Sequence, residues 1–309
     1  MKLAIELADV CKKRRNKTIG PLNMGLPEGY ITALVGRNGS GKSTLMRMLM
    51  QLIHPDSGEI RWMNGAYPEG LPLSIRQTLA YVPEHPASEE NHLTVNNAGA
   101  FRSRWYPSWN EGYFRELLDR FEVPVTVRMN KMSKGERRKF EIAAALAARP
   151  QLLLLDEPSS GLDPFAWKTM IEVLQRYIEE TSATLLISTH IVEEIRRLAD
   201  YIVLMHQGKL LGMAEKDALF GLWHEVWIGA ADEEELRELQ AELPDGMDWR
   251  LETPGVGVYT TRNFVADEKR LADLGVQLIK NRSLELDEVL MLWTQGQSPA
   301  LIDPRRGEK

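Results

Sequence analysis

The 309-residue sequence predicts an α/β fold with a mostly parallel core sheet and a helical subdomain, followed by a small C-terminal α+β domain. Three observations predict it. A glycine-rich loop, residues 36–43, joins an apolar strand (30–35) to a segment with apolar residues at helical spacing (43–53). Two later runs, 152–155 and 184–188, are apolar without alternation, as strands buried on both faces of a parallel sheet are. Past residue 220, short strand and helix patterns alternate.

Taken in order, the helix after the glycine loop carries Leu45, Met46, Leu49, Met50 and Ile53 on one face, and its methionines read as core filling. Residues 79–82 form a further strand. From about 88 to 150 the pattern becomes helical. Phe114, Leu117, Leu118 and Phe121 share a face within 110–121, and the alanine-rich stretch 135–148 stops before Pro150. This block reads as a helical insert in a first domain spanning 1–220, which residues 201–205 and 209–212 complete. Residues 221–296 then read as strand (224–228), helix (232–243), strand (248–251), strand (256–260), helix (266–274) and strand (276–279). That is the order of a ferredoxin-like unit. The polar stretch 297–309 reads as a disordered tail.

Composition narrows the function. No run approaches the roughly 18 apolar residues of a membrane span, and the first ten residues lack a signal-peptide pattern. A soluble, cytoplasmic chain is expected. The single cysteine, Cys11, excludes an internal disulfide and fits a reducing compartment. Residues 221–309 hold 18 Asp/Glu against 10 Lys/Arg, a poor surface for gripping nucleic acid, so none is expected as a partner. The one basic cluster, Lys12, Lys13, Arg14, Arg15 and Lys17, reads as a solvated loop before Gly20-Pro21.

The chemistry starts at residues 36–43, which fit G-x-x-x-x-G-K-S between a strand and a helix. Backbone amides and the helix N-terminus form an anion cradle there. Lys42 would reach the β- and γ-phosphates, and the Ser43 hydroxyl would ligate Mg²⁺. Asp156 ends a buried strand where a Mg²⁺-binding acid belongs. Glu157 points elsewhere and suits a general base on water. Asp156-Glu157-Pro158 is also compatible with a plain strand-ending turn.

In this order the motifs resemble those of ABC ATPase domains, a group of P-loop NTPases, over about residues 1–215. Residues 36–43 resemble Walker A and 152–157 Walker B. Ser160-Gly161-Leu162-Asp163 resembles the D-loop, His190 the switch histidine, and Met132-Ser133-Lys134-Gly135-Glu136 the LSGGQ signature. The resemblance implies ATP and Mg²⁺ as ligands. Gly36, Asn38, Gly39, Ser40, Gly41, Lys42, Ser43 and Thr44 would surround the phosphates. Ser43, Glu84 and Asp156 would hold the metal, and Glu157, His190 and Glu84 would serve catalysis. Ser133-x-x-Glu136 is by itself a capping box. In the family, that helix end faces the γ-phosphate held by a second subunit. Ser133, Lys134, Gly135, Glu136 and Asp163 are thereby implied to act in trans. With one glycine loop and one signature, the chain would pair with a second copy or a related subunit. A histidine after a buried strand is ordinarily structural; the resemblance implies that His190 contacts the γ-phosphate and the water held by Glu157.

Three positions depart from the family pattern. Glu84 replaces the Q-loop glutamine, Lys134 and Glu136 replace a glycine and the glutamine of the signature, and Arg14 stands where an aromatic residue stacks on adenine. A guanidinium can stack in its place. Tyr81-Val82-Pro83-Glu84, Ser133-Lys134-Gly135-Glu136 and Ser108-Trp109-Asn110 resemble bacterial ABC-2 type exporter subunits, as does the segment 283–290. This implies integral membrane permease subunits as partners and a place on the inner face of the cell membrane. Trp105, Tyr106 and Trp109 would either dock a permease helix or fill the insert's own core. The alternative is a soluble ABC ATPase acting on ribosomes or DNA. Such proteins generally carry two ATPase domains in one chain, or long coiled coils, and neither is present.

Overall fold

The computed structural model describes residues 1–14 and 17–305. They form two compact units, Met1–Met213 with the stretch from Leu301, and Ala214–Ala300.

In the first unit a six-stranded sheet runs in the order β10 (Lys209–Glu215), β9 (Tyr201–His206), β3 (Ile31–Val35), β8 (Thr184–Ser188), β7 (Leu152–Asp156) and β6 (Leu79–Val82). The pairs from β9 to β6 are parallel. Strands β3, β7 and β8 are buried at every residue, as their unbroken apolar runs require. The register sets Asp156 opposite Ser188 and Val82 opposite Leu155. The carboxyl ends of these five strands therefore lie along one edge, where open α/β sheets bind ligands.

A second sheet, in the order β2 (Lys17–Pro27), β1 (Leu3–Arg14), β4 (Ser57–Trp62) and β5 (Gly65–Ala66), shares a core with the first. Met46 and Met48 of helix α1 (Lys42–Leu49) lie fully buried in that core. The helix is shorter than its periodicity predicts. Gln51 turns to φ +50°, and the amides of Leu52 and Ile53 fold back onto Arg47 O. The basic cluster is not a loop: Lys12, Lys13 and Arg14 belong to β1 and Lys17 to β2, while Arg15 lies outside the described residues. Asp56 ties it down, accepting from Lys12 Nζ (2.6 Å) and the Lys13 amide (2.7 Å).

A short helix, α2 (Leu73–Arg76), precedes β6, and between β6 and β7 lies the helical insert: α3 (Val95–Ser103), α4 (Glu111–Arg120) and α5 (Lys134–Ala147). Phe114 meets Phe140 edge-on, and Trp109 packs on Phe114 at 4.9 Å with its indole N–H on Glu111. Trp109 therefore belongs to the insert's own packing. Glu141, 4% exposed, accepts from Arg137 Nε (2.8 Å) and Arg102 Nη1 (2.7 Å). Burial pushes its carboxyl up, but the charge and hydrogen bonds of Arg102, with those of Arg137, outweigh burial and hold it below the usual value of 4.5. A depressed carboxylate adds stability above its unfolded pKa and loses it as pH falls through the folded value. Glu141→Gln is expected to cost about 2 kcal/mol at neutral pH. It should also flatten the loss of thermal stability below pH 4.5, read from melting curves against pH.

After Thr181, which ends helix α6 (Pro164–Thr181), and α7 (Val192–Leu198), β9 and β10 close the first unit. The second unit runs β11 (His224–Ala230), α8 (Glu233–Glu242), β12 (Met247–Thr253), β13 (Gly255–Thr261), α9 (Phe264–Asp273), β14 (Leu278–Ser283) and α10 (Leu286–Thr294). Its strand order, β12-β13-β11-β14 with every pair antiparallel, is ferredoxin-like. Val226, Ile228 and Tyr259 of the sheet and Leu236, Leu239 and Leu271 of the helices form its own core. The tail corrects its sequence reading. Ile302 donates to Met213 O (2.8 Å), and Arg305 bonds Asp303 and Asn23 Oδ1. Ordering thus extends at least to residue 305, and residues 306–309 lie outside the described set.

Candidate nucleotide site

The loop after β3 is shaped by steric necessity. A Cβ at Gly36 would lie 2.2 Å from Met205 O and 2.8 Å from Ser40 Oγ, so only glycine fits. Gly41, at φ +119°, is the left-handed residue that starts α1. The unpaired amides of the first turn of α1 consequently open toward a cleft of about 580 Å³. Asn38, Gly39, Ser40, Lys42, Ser43 and Thr44 line it, together with Glu84, Arg14, Glu157 and His190 from other parts of the fold. Gly36 lies just behind, its carbonyl accepting from Lys42 Nζ at 2.7 Å.

One carboxylate connects these groups. Glu157 follows β7, takes φ +48° and donates its amide to Ser188 O of β8. This turn carries its side chain away from that of Asp156. Glu157 Oε2 lies 2.8 Å from His190 Nδ1 and its Oε1 3.5 Å from Lys42 Nζ, with Lys42 and Glu157 both less than a tenth exposed. Asp156 is 1% exposed, and its Oδ1 has no hydrogen-bond partner. Among the described residues no three His, Cys, Asp or Glu side chains converge as a metal cage. A hydroxyl at Ser43 and Glu84 in the cleft wall, with an orphaned carboxylate oxygen at Asp156 on the neighbouring strand end, are hard-oxygen donors of the kind Mg²⁺ takes beside waters and phosphate oxygens.

The residues expected to act in trans do not line this cleft. Ser133 is the N-cap of α5: its Oγ accepts from the Glu136 amide (3.2 Å), and Glu136 Oε2 accepts from the Ser133 amide (2.7 Å). The capping box read from the sequence is present, and the bond from the Ser133 amide holds the Glu136 carboxyl below its usual value. Asp163 caps α6 in the same way, accepting from the amides of Phe165 and Ala166. The two segments touch: Lys134 Nζ donates to Ser160 Oγ at 2.7 Å, and a Cβ at Gly135 would lie 2.6 Å from Gly161 O.

Further cleft residues carry no motif. Lys17 and Ile19 come from β2, with Lys17 Nζ bonding Gly39 O, while Ser159 and Ile191 flank the Walker B and histidine segments. Only the neighbouring motifs signalled the latter pair. Lys17 is legible once the hairpin of β1 and β2 is seen to fold over the glycine loop.

Comparison with known proteins agrees with this geometry. The family model described as ABC transporter matches residues 19–160. The chain is 32% identical over 245 residues to the Nod factor export ATP-binding protein I of Bradyrhizobium diazoefficiens, covering 77% of this chain and 79% of that one. It is 32% identical over 214 residues to the bacitracin transport ATP-binding protein BcrA of Bacillus licheniformis, covering 68% and 69%. A solved ATP-binding subunit of an ABC transporter superposes with a TM-score of 0.62 at 28% identity, over 70% of this chain and 91% of that one. On these matches the chain belongs to the ATP-binding subunits of ABC transporters.

Proposed function

We propose that this subunit hydrolyses ATP in the cleft between the glycine loop and Glu157, within a dimer that sandwiches two ATP molecules and drives a separate membrane permease. The observation that carries the reading is Glu157, held between His190 and Lys42 at the mouth of the phosphate cradle. When ATP enters, its phosphates compete for Lys42, and the carboxylate released from that ion pair can accept a proton. Glu157 then takes the proton from water as its oxygen attacks the γ-phosphorus, and the bond to the β-phosphate oxygen breaks to leave ADP and phosphate. His190 orients the carboxylate and presents its other nitrogen to the cleft. Ser43, Asp156 and Glu84 would hold Mg²⁺, which when bound neutralises charge on the phosphates.

The dimer reading rests on the signature segment, which is built as a helix N-terminus but lies outside the chain's own cleft. Phe165, two residues past Asp163, is 85% exposed in the segment whose Gly161 packs against Lys134. An apolar side chain so placed fits burial against a second subunit. Phe165→Ser should leave monomer stability unchanged and weaken ATP-driven dimerisation about tenfold, the scale of burying part of one aromatic ring. Sedimentation with ATP in a hydrolysis-deficient background reads this.

A second cleft, of about 650 Å³, supports the permease reading. Leu52, Phe101 and Trp105 are 62%, 46% and 58% exposed along it, beside Tyr106, Arg47 and His85. This wide apolar groove, with Arg47 and the ion pairs of Arg102 with Glu90 and Glu141 along it, suits an amphipathic helix from a membrane partner. No helix among the described residues is long and apolar enough to cross a membrane, so anchoring at the inner face would come through that permease. Export is the direction supported by the relative named as a Nod factor export ATP-binding protein. Affinity purification from detergent-solubilised membranes should recover a multi-span protein with this chain. Recovery only in the ribosome or nucleoid fraction would overturn the transport reading.

A further inference from the structure

The end of β6 is a wall with two faces. Tyr81, Pro83 and His85 line the groove proposed for the permease, while Glu84 lines the nucleotide cleft. β6 is the edge strand of its sheet, and its ladder with β7 ends at Val82 opposite Leu155. Beyond that point the ladder with β7 offers the half-buried backbone carbonyls of Pro83 and Glu84 no donor.

One side chain supplies both donors. Arg138 of α5 donates from Nη1 to Pro83 O at 2.7 Å and from Nη2 to Glu84 O at 2.6 Å. Arg138 is 1% exposed, and its Nε has no partner. Burial acts against its charge, while Glu141, Asp156, Glu84 and Tyr81 favour it. The side chain that fixes Glu84 thus belongs to the helix capped by Ser133.

We propose that Arg138 is a positioning residue for hydrolysis: it sets the placement of Glu84 in the cleft and couples that placement to the signature helix and to the groove-facing side of the wall. The proposal rests on the reading of the cleft as the ATP site and of Glu84 as a metal-facing carboxylate. A planar guanidinium spans two carbonyls at once, and an ammonium on a flexible stem does not. Replacement by lysine should therefore loosen the wall while keeping a buried cation.

The test uses the full chain carrying Glu157→Gln, so that nucleotide is bound but not consumed. The affinity for a fluorescent ATP analogue is measured with and without Mg²⁺. In Arg138→Lys, binding without metal should stay within twofold, and the enhancement by Mg²⁺ should fall fivefold or more. Arg138→Gln, which keeps a donor without the charge, should behave the same way. In a Glu84→Gln background, Arg138→Lys should have no further effect on the enhancement, because both changes act through one carboxylate. A merely structural arginine would lower the melting temperature and both affinities together, additively with Glu84→Gln, and that result would overturn the proposal. So would an unchanged enhancement in Arg138→Lys. Failure of the chain to bind the analogue under any condition is a different result, and it would sink the ATP reading itself.

Discussion

Glu157→Gln is expected to lower the rate of ATP hydrolysis about a thousandfold, the scale of removing a general base, while leaving ATP binding intact. The amide keeps the shape of the carboxylate and its place beside His190 Nδ1, 2.8 Å away in the native side chain. It cannot take a proton from water. Because hydrolysis is what reopens the sandwich, the variant should accumulate as a dimer when ATP and Mg²⁺ are present and return to monomer when they are removed. Phosphate release and sedimentation read the two halves of this expectation separately. Hydrolysis at the normal rate would show that another group is the base.

Lys42→Ala should act one step earlier. Its ammonium is less than a tenth exposed, bonds Gly36 O and lies 3.5 Å from Glu157. In the bound state it is the one lysine carried by the phosphate loop itself. Truncating one side of a desolvated charge contact costs at least 2 kcal/mol, so ATP affinity should fall thirtyfold or more. The two variants therefore separate cleanly. Glu157→Gln binds and does not turn over, whereas Lys42→Ala does not hold its nucleotide at concentrations that saturate the native chain. Equal ATP affinities in titrations of Lys42→Ala and the native chain would remove Lys42 from the phosphate site.

How far the sequence carries depends on whether a feature is local. The strand-loop-helix form of the glycine loop, the strand that ends at Asp156 and the capping box at Ser133 are legible because each is a short motif whose local structure follows from adjacent residues. The ferredoxin-like order of the second unit was legible for the same reason, through strand and helix periods. Lys17, Ile19 and Arg138 were not. Lys17 reaches the loop because β1 and β2 form a hairpin that folds over it, and Arg138 matters because β6 is an edge strand, which depends on strand order. The strand placement of the basic cluster is hidden on similar grounds: Asp56, which anchors Lys12 and the Lys13 backbone, lies more than forty residues away in sequence. Trp109 has two readings in sequence, and its tilted packing against Phe114 decides for core packing over docking.

The bridge between Met213 and Ile302 has a consequence for engineering. The second unit leaves the first at one point and the chain returns beside that point, so the unit is a closed excursion rather than a trailing domain. Its core is its own. Domains attached in this way tolerate excision and exchange, because a short linker can rejoin the two ends without stretching the parent sheet. A graft of a different small domain between residues 213 and 301 would keep the nucleotide cleft and report what the native one adds to it.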